Sequence, residues 1–256
     1  MSGSGGRTAA DRLLAVLAAF DHACPALTLT DISRRADLTL PTAHRLAGML
    51  TAWGALERDE SGVYHIGLRL LELAALAPRG LVLREASMPF LEDLFEATHE
   101  NVQLAVRDGA EVIYIERIAG RSAVGVRTQV GARWPLHATG VGLVLLAHSP
   151  AGFQDEYLAS PLAGFTAYTV TDPRRLRRML AEIRRTGCAV SDRQITDDAV
   201  SVAAPVRGPH GDVVASVSVV VHADGVRPSA LIPAVRIAGA GISRALGWQP
   251  PTGTSA

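Results

Sequence analysis

Two regimes of hydrophobic spacing divide the chain, and together they call for an α+β architecture. From Thr8 to about Ala77 apolar residues recur at helical intervals, whereas beyond about Glu100 strand-like alternation is interleaved with helices. Pro78-Arg79-Gly80 punctuates the change and places a domain boundary near Pro78. The 256 residues suffice for one large or two modest domains. No apolar run approaches the ~20 residues of a membrane-spanning helix, so no membrane partner is expected. Met1 to Gly6 and Pro250 to Ala256 are small and polar, and ordered structure is expected from about Arg7 to Trp248.

In the first regime, Leu13, Leu14, Leu17 and Ala18 give a first helix with an apolar face. A second helix opens at Thr28, where Asp31 sits three residues on as the acidic partner of a capping box. A third spans about Pro41 to Trp53, with Leu46, Met49, Leu50 and Trp53 read as its buried face, and Gly54 ends it. Ala55 to Arg58 and Val63 to Ile66 form a hairpin around Asp59-Glu60-Ser61-Gly62, and a helix from Leu68 to Ala77 leads out. This is the order of a winged helix-turn-helix, whose third helix enters the major groove of DNA. Pro41, His44, Gly48 and Thr51 would then face outward with Arg45 on the flank, a slim polar surface suited to base edges. Thr42 is a candidate for a phosphate or for the turn, and Arg34, Arg35 and Arg58 are candidates for phosphate contacts. Residues 1–75 carry seven arginines against eight acids, so a protein-interaction module stays open beside DNA binding.

The second regime begins with a helix from Leu81 to His99. Val102 to Val106 and Val112 to Ile118 flank Asp108-Gly109, a strong hairpin turn. An extended run, Val124 to Gln129, precedes a Trp134-Pro135 break. Thr139 and Gly140 open an apolar helix to His148, a short helix follows near Phe153 to Leu158, and Asp172-Pro173 starts an arginine-studded helix to Thr186. Leu176, Met179, Leu180 and Ile183 hold that helix's core positions, so its arginines read as a solvated face. Strands Cys188 to Asp192, Val200 to Arg207 and Val213 to His222 and a helix from Ser229 to Leu246 complete an antiparallel sheet with flanking helices. Ser201, Ser218, Asp192 and the amides around Thr139, Gly140 and Val141 could line a pocket, the helix N-terminus suiting a carboxylate.

Other chemistry is narrowed by what the composition lacks. All 25 basic residues are arginine, balanced by 14 Asp and 11 Glu, so phosphate-loop, Schiff-base and nucleophilic lysines are excluded. The histidines form no H-E-x-x-H pattern, no G-x-S-x-G occurs, and Gly239-Ala240-Gly241 falls inside a helix rather than after a strand. Gly120 to Gly125 has the wrong spacing for a nucleophile elbow, and Cys188 reads as core. No metal, cofactor or catalytic residue is expected. Two distant cysteines and a linker-like start suggest the cytoplasm. A small-molecule-binding enzyme whose N-terminal helices only mediate assembly is the competing reading.

Thr42-Ala43-His44-Arg45-Leu46, Trp134 to Gly142, Val190-Ser191-Asp192 and Ser201 to Val206 resemble the IclR-type bacterial transcription regulators. The likeness runs from about Arg7 to Leu246. It implies a winged helix-turn-helix over 7–67, a linker over 68–80 and a GAF-like effector domain over 81–248, assembled as a homodimer or a dimer of dimers. It further implies a repressor on a palindromic operator in double-stranded DNA, modulated by a small organic acid or aromatic effector. By position, Gly140 and Val141 would offer amides to an effector carboxylate. Ser201 stands where many members have Cys, Ser191 where many have Asp, Ser218 matches a pocket Ser, and Val220 replaces another. Leu40 and Pro41 replace a common Lys-Ser at the recognition helix.

Overall fold

The computed structural model describes residues 7–77, 80–120, 124–125, 128–224 and 227–249. Both chain ends, Pro78 at the expected boundary, and Val126 and Arg127 in the expected extended run lie outside these. The chain divides into two compact units, 1–81 and 82–256.

The first unit follows from its capping chemistry. Helix α1 (Ala9–Ala18) is closed by a Thr8/Asp11 capping box and α2 (Leu29–Arg35) by Thr28/Asp31. The recognition-type helix α3 (Leu40–Trp53) begins one residue before the expected proline and stops at Gly54, whose φ of 87° gives a left-handed cap that glycine adopts without strain. Strands β2 (Leu56–Arg58) and β3 (Tyr64–Ile66) form the expected hairpin, and β1 (Ala26–Leu27), not foreseen, pairs with β3 to give a three-stranded wing. The core joins Val16, Ile32, Ala43, Leu46, Ala47, Leu50, Leu56 and Tyr64.

One expectation for α3 is corrected. Its buried seam is Ala43, Leu46, Ala47 and Leu50, while Met49 and Trp53 are about half exposed. The alanines let α1 and α2 approach closely, which rotates the seam away from the larger side chains. Helix α4 (Leu68–Ala74) ends earlier than expected and buries none of its seven residues.

The second unit is built on a six-stranded antiparallel sheet of order β6-β5-β4-β9-β8-β7. Its strands are β4 (Asn101–Asp108), β5 (Glu111–Ile118), β6 (Arg133–Pro135), β7 (Ala189–Asp192), β8 (Ala199–Arg207) and β9 (Val213–His222). The Trp134-Pro135 break is therefore corrected. These residues form the edge strand β6, held by pairing to β5 and by ion pairs from Arg133 to Asp108 and Glu111. Val124, Gly125, Thr128 and Gln129 are outside any strand.

Alternation sorts the strands onto two faces. Val102, Leu104, Val106, Val200, Val202, Val217 and Val219 pack under α5 (Leu81–Thr98) and α9 (Pro228–Ala245). The intervening residues face α6 (Gly140–Ala147), α7 (Ala151–Ala159) and α8 (Pro173–Thr186). On α8 the apolar stripe Leu176, Leu180 and Ile183 is buried and the arginines are exposed. Gly142 allows α6 to enter: a Cβ there would lie 2.4 Å from the Leu136 carbonyl oxygen and 2.5 Å from Thr139 Oγ1.

Candidate nucleic-acid interface and small-molecule pocket

In the first unit, Pro41, His44, Arg45 and Gly48 are exposed on α3, opposite the seam. Among the described residues of this unit nothing approaches within 4 Å of where a Gly48 Cβ would stand, so the centre of this face is open. Arg45 Nη1 reaches Met49 Sδ at 3.5 Å, leaving the rest of its donor fork free for base edges or phosphates. Thr42 Oγ1 lies 2.9 Å from Thr39 Oγ1, at the start of the helix. The outward position of Thr51 is corrected: it turns to the flank, with its hydroxyl buried and unpartnered. Met49 and Ala52, which the sequence reading did not place outward, occupy exposed positions instead.

The candidate phosphate donors differ in freedom. Arg34 is exposed and ion-paired to Asp31 at 2.9 Å. Arg35 is committed to structure, donating to the Ala19 carbonyl at 2.6 Å and to Cys24 Sγ at 3.3 Å and pairing with Asp21. Arg58, on the wing, donates to the Gly62 carbonyl at 3.3 Å and lies over the Tyr64 ring. Asp59 shapes the wing turn by accepting from Ser61, Val63 N–H and the His65 ring, and these bonds hold its carboxyl well below the usual range.

In the second unit a cavity opens between the polar-laced sheet face and the start of α6. The space open to the centre of a water molecule is about 60 Å³. One water occupies roughly 10–15 Å³ on that measure, so several water-sized groups fit. Thr139, Gly140, Ser191, Ser201 and Val220 line it, as do Gln103, Tyr114, Thr128, Trp134 and Gln194. Register explains the grouping: Asn101, Val220, Ser201 and Ser191 form one row across four strands, with Gln103, Ser218 and Ala203 in the next.

Thr139 caps α6 by accepting from Gly142 N–H at 3.0 Å, and its carbonyl accepts from Leu143 N–H. The Gly140 and Val141 amides remain the first-turn donors, though the Val141 side chain belongs to the core. Ser201 Oγ would stand 2.6 Å from a Cβ on Gly140, so glycine keeps this end of the cavity open. Ser191 Oγ donates to the Ala138 carbonyl at 3.0 Å, and Gln194 braces it through Nε2. Gln103 donates from Nε2 to Thr128 Oγ1. Tyr114 is buried, and desolvation pushes its hydroxyl far above the ordinary range, against the opposing effect of the Thr139 hydroxyl, so it remains a neutral donor. Every lining side chain named here is uncharged, so a ligand carboxylate would be met by amide and hydroxyl dipoles.

Two expected pocket residues fall elsewhere. Asp192 is exposed and paired with Arg193. Ser218 lies in the floor, fully buried and without a hydrogen-bond partner, but does not line the cavity. Gln103, Tyr114, Thr128, Trp134 and Gln194 were missed. Gln103 carried the one usable signal, a long amide inside the apolar run Val102 to Val106.

A helix-turn-helix with a wing, followed by an α+β domain enclosing a small polar pocket, defines the class of transcription regulators with a ligand-binding C-terminal domain. Residues 9–60 match the IclR helix-turn-helix domain and residues 77–244 match the bacterial transcriptional regulator IclR C-terminal domain. The chain belongs to the IclR family. It is 31% identical to the HTH-type transcriptional regulator KipR of Bacillus subtilis, over 80% of this chain and 82% of that one. To the HTH-type transcriptional repressor AllR of Klebsiella pneumoniae it is 30% identical, over 96% and 92%. The crystal structure of an IclR homolog from Microbacterium hydrocarbonoxydans complexed with 4-hydroxybenzoate superposes with a TM-score of 0.89 at 35% identity, over 93% of this chain and 99% of that one. Among the described residues no helix is long and apolar enough to cross a membrane, and no three His, Cys, Asp or Glu cluster as metal ligands.

Proposed function

We propose that the chain is a repressor that binds a palindromic operator as a homodimer, or a dimer of dimers, and is released by a small aromatic or organic acid. Residues 7–67 read DNA, 68–80 link, and 81–248 hold the effector. The observation that carries the DNA reading is the exposed face of α3, where His44 and Arg45 flank the open position at Gly48. Pro41 and Thr42 begin that face, with Arg34 and Arg58 as phosphate contacts. The pocket's neutral donors and the free Gly140 and Val141 amides support an acid effector, as does the 4-hydroxybenzoate held by the Microbacterium homolog. Leu68, Leu71 and Leu76 in and after α4, and Leu14 on α1, are 61–77% exposed, an apolar surface that a second copy would cover. DNA places its work in the cytoplasm.

The test uses a duplex selected by the full-length protein from a randomised pool. His44→Ala with Arg45→Ala should weaken anisotropy-monitored binding at least about tenfold with the fold intact, the loss expected when base contacts go. Selection of no sequence, or equal binding by the variant, overturns the reading. A thermal-shift panel of aromatic and short-chain acids, 4-hydroxybenzoate included, should give a saturable rise for at least one.

A further inference from the structure

Strand β5 is bulged at the point where it passes the pocket. Tyr114 pairs with Ala105 and Glu116 with Leu104, and the register shifts between those two partners. Without the shift, Tyr114 and Glu116 would project from the same face of the sheet. The extra residue instead sends Tyr114 into the pocket and Glu116 through to the α5 side. There Glu116, 8% exposed, pairs with Arg84 in the first turn of α5, and its other carboxylate oxygen accepts from Arg117 N–H at 2.8 Å.

Helix α5 is itself interrupted. Pro89 has no N–H to donate to the Glu85 carbonyl, so the turns from Leu81 to Met88 are uncoupled by one hydrogen bond from the turns that follow. That leading segment is the first element of the second unit and directly follows the link to the first. Leu83 and the partly buried Met88 pack it onto the aliphatic core, Ser87 is buried with its hydroxyl donating to the Leu83 carbonyl of the same helix, and the Arg84–Glu116 pair ties it to β5.

We propose that Glu116 and Arg84 carry pocket occupancy to the start of α5. A ligand pressing on Tyr114 acts on a bulged strand, where register and twist have room to adjust, and Glu116 lies two residues along. The pair is a positioning device, outside the ligand's reach, that ties the leading turns of α5 to β5. This rests on the regulator reading above and adds the route of its regulation. Linkage gives the requirement: removing the tie should reduce the effect of occupancy on DNA affinity while leaving occupancy itself nearly unchanged.

The experiment compares the full-length wild type with Glu116→Gln, with Arg84→Gln, and with the charge exchange Arg84→Glu/Glu116→Arg, using a duplex selected by the wild-type protein and 4-hydroxybenzoate as probe. Both single variants should bind the probe within about twofold of wild type by calorimetry. Their probe-induced change in DNA affinity should shrink at least about fivefold, and the exchange should restore part of it. Unchanged coupling in the single variants overturns the proposal. Should the probe fail to bind wild type, the assigned ligand class fails by itself, and Ser201→Leu, which fills the cavity from within, serves as occupant. Ser201→Leu should alter DNA affinity in the wild-type background and do so much less with Glu116→Gln. Equal effects in both backgrounds overturn the proposal. Hydrogen exchange should quicken over residues 81–88 in Glu116→Gln and stay unchanged in β4 and β9; no change over 81–88 also counts against the tie.

Discussion

The two faces of the central sheet come from the same strands and do opposite work. Beneath α5 and α9 the inward residues are almost all aliphatic and mostly buried, with Glu116 the charged exception among the strand residues named. One residue along each strand, facing α6, stand Asn101, Gln103, Tyr114, Ser201, Ser216 and Ser218, with a cavity among them. Hydrophobic burial contributes stability in proportion to area, whereas buried polar groups contribute little unless partnered. The strands therefore separate stability from recognition by parity, reset in β5 by the bulge between Tyr114 and Glu116, and a one-residue slip would exchange the two.

The largest expected effect is the sharpest check on that division. Leu104 is fully buried on the aliphatic face, and Leu104→Ala should cost about 3 kcal/mol, within the usual 2–5 for such a cavity. Gln103, its neighbour in sequence, donates one side-chain hydrogen bond to Thr128, and Gln103→Ala should cost about 1–2 kcal/mol. Urea unfolding of the two variants decides between them. Equal losses would mean that the polar face supports the fold as much as the apolar one.

On the recognition face, binding rather than stability should respond. A methyl group on Gly140 would meet Ser201 Oγ at 2.6 Å and Cβ at 3.1 Å, so Gly140→Ala must displace Ser201 into the cavity. The expected result is at least a tenfold loss of ligand affinity, about 1.4 kcal/mol, with a smaller change in Tm. A variant that binds 4-hydroxybenzoate as wild type does, where wild type binds it, would move the pocket away from the start of α6.

The contrast also explains what could be read in advance. The helices and strands announced themselves through capping residues and periodicity, as at Thr28/Asp31 and Asp108-Gly109, because those signals are local. Thr139, Gly140 and Ser201 were legible because a small residue at a helix entry and a hydroxyl in an apolar strand are anomalies in one dimension. Gln103, an amide in an apolar run, carried the same kind of signal and was passed over; Tyr114 and Trp134 carried none, since period-two alternation does not say whether the second face meets water or another layer. Trp134-Pro135 looked like a break because Pro disfavours central strands, yet an edge strand tolerates it. On α3 the same limit appeared in another form: two alanines, not the larger Met49 and Trp53, form the seam, because close helix approach decided the rotation.

Mild acid should act on the α6–α8 side. His137 is buried: its Nε2–H donates to the Ala163 carbonyl at 2.9 Å, and Nδ1 accepts from the Tyr157 hydroxyl. Desolvation lowers its pKa, and His148 at the end of α6 is lowered likewise. In the unfolded chain these rings protonate near pH 6.5, so below that pH the unfolded state binds protons that the folded state refuses. Their contribution is complete above about pH 6.5 and declines as pH falls toward the depressed folded values. Moving from pH 7.5 to 5.5 should lower stability through His137, and His137→Gln should flatten that dependence. A slope unaffected by the substitution would assign the acid sensitivity elsewhere.

The smallest effect separates two serines on one face of one strand. Ser216 donates to the Ala204 carbonyl at 3.0 Å, while Ser218, equally buried, has no partner. A made hydrogen bond is worth about 0.5–1.5 kcal/mol, whereas an unmade buried one leaves the hydroxyl's desolvation uncompensated. Ser216→Ala should therefore destabilise by about 1 kcal/mol, and Ser218→Ala should be neutral or stabilise by a few tenths. The orphan hydroxyl lies in the pocket floor between Gln103 and Ala203, one row from Ser201. If a bound effector or its water supplies the missing partner, Ser218→Ala should lower ligand affinity severalfold while leaving the unliganded Tm alone. A loss of Tm matching that of Ser216→Ala would instead place Ser218 among the groups that hold the sheet together, and the floor of the cavity would belong to the scaffold.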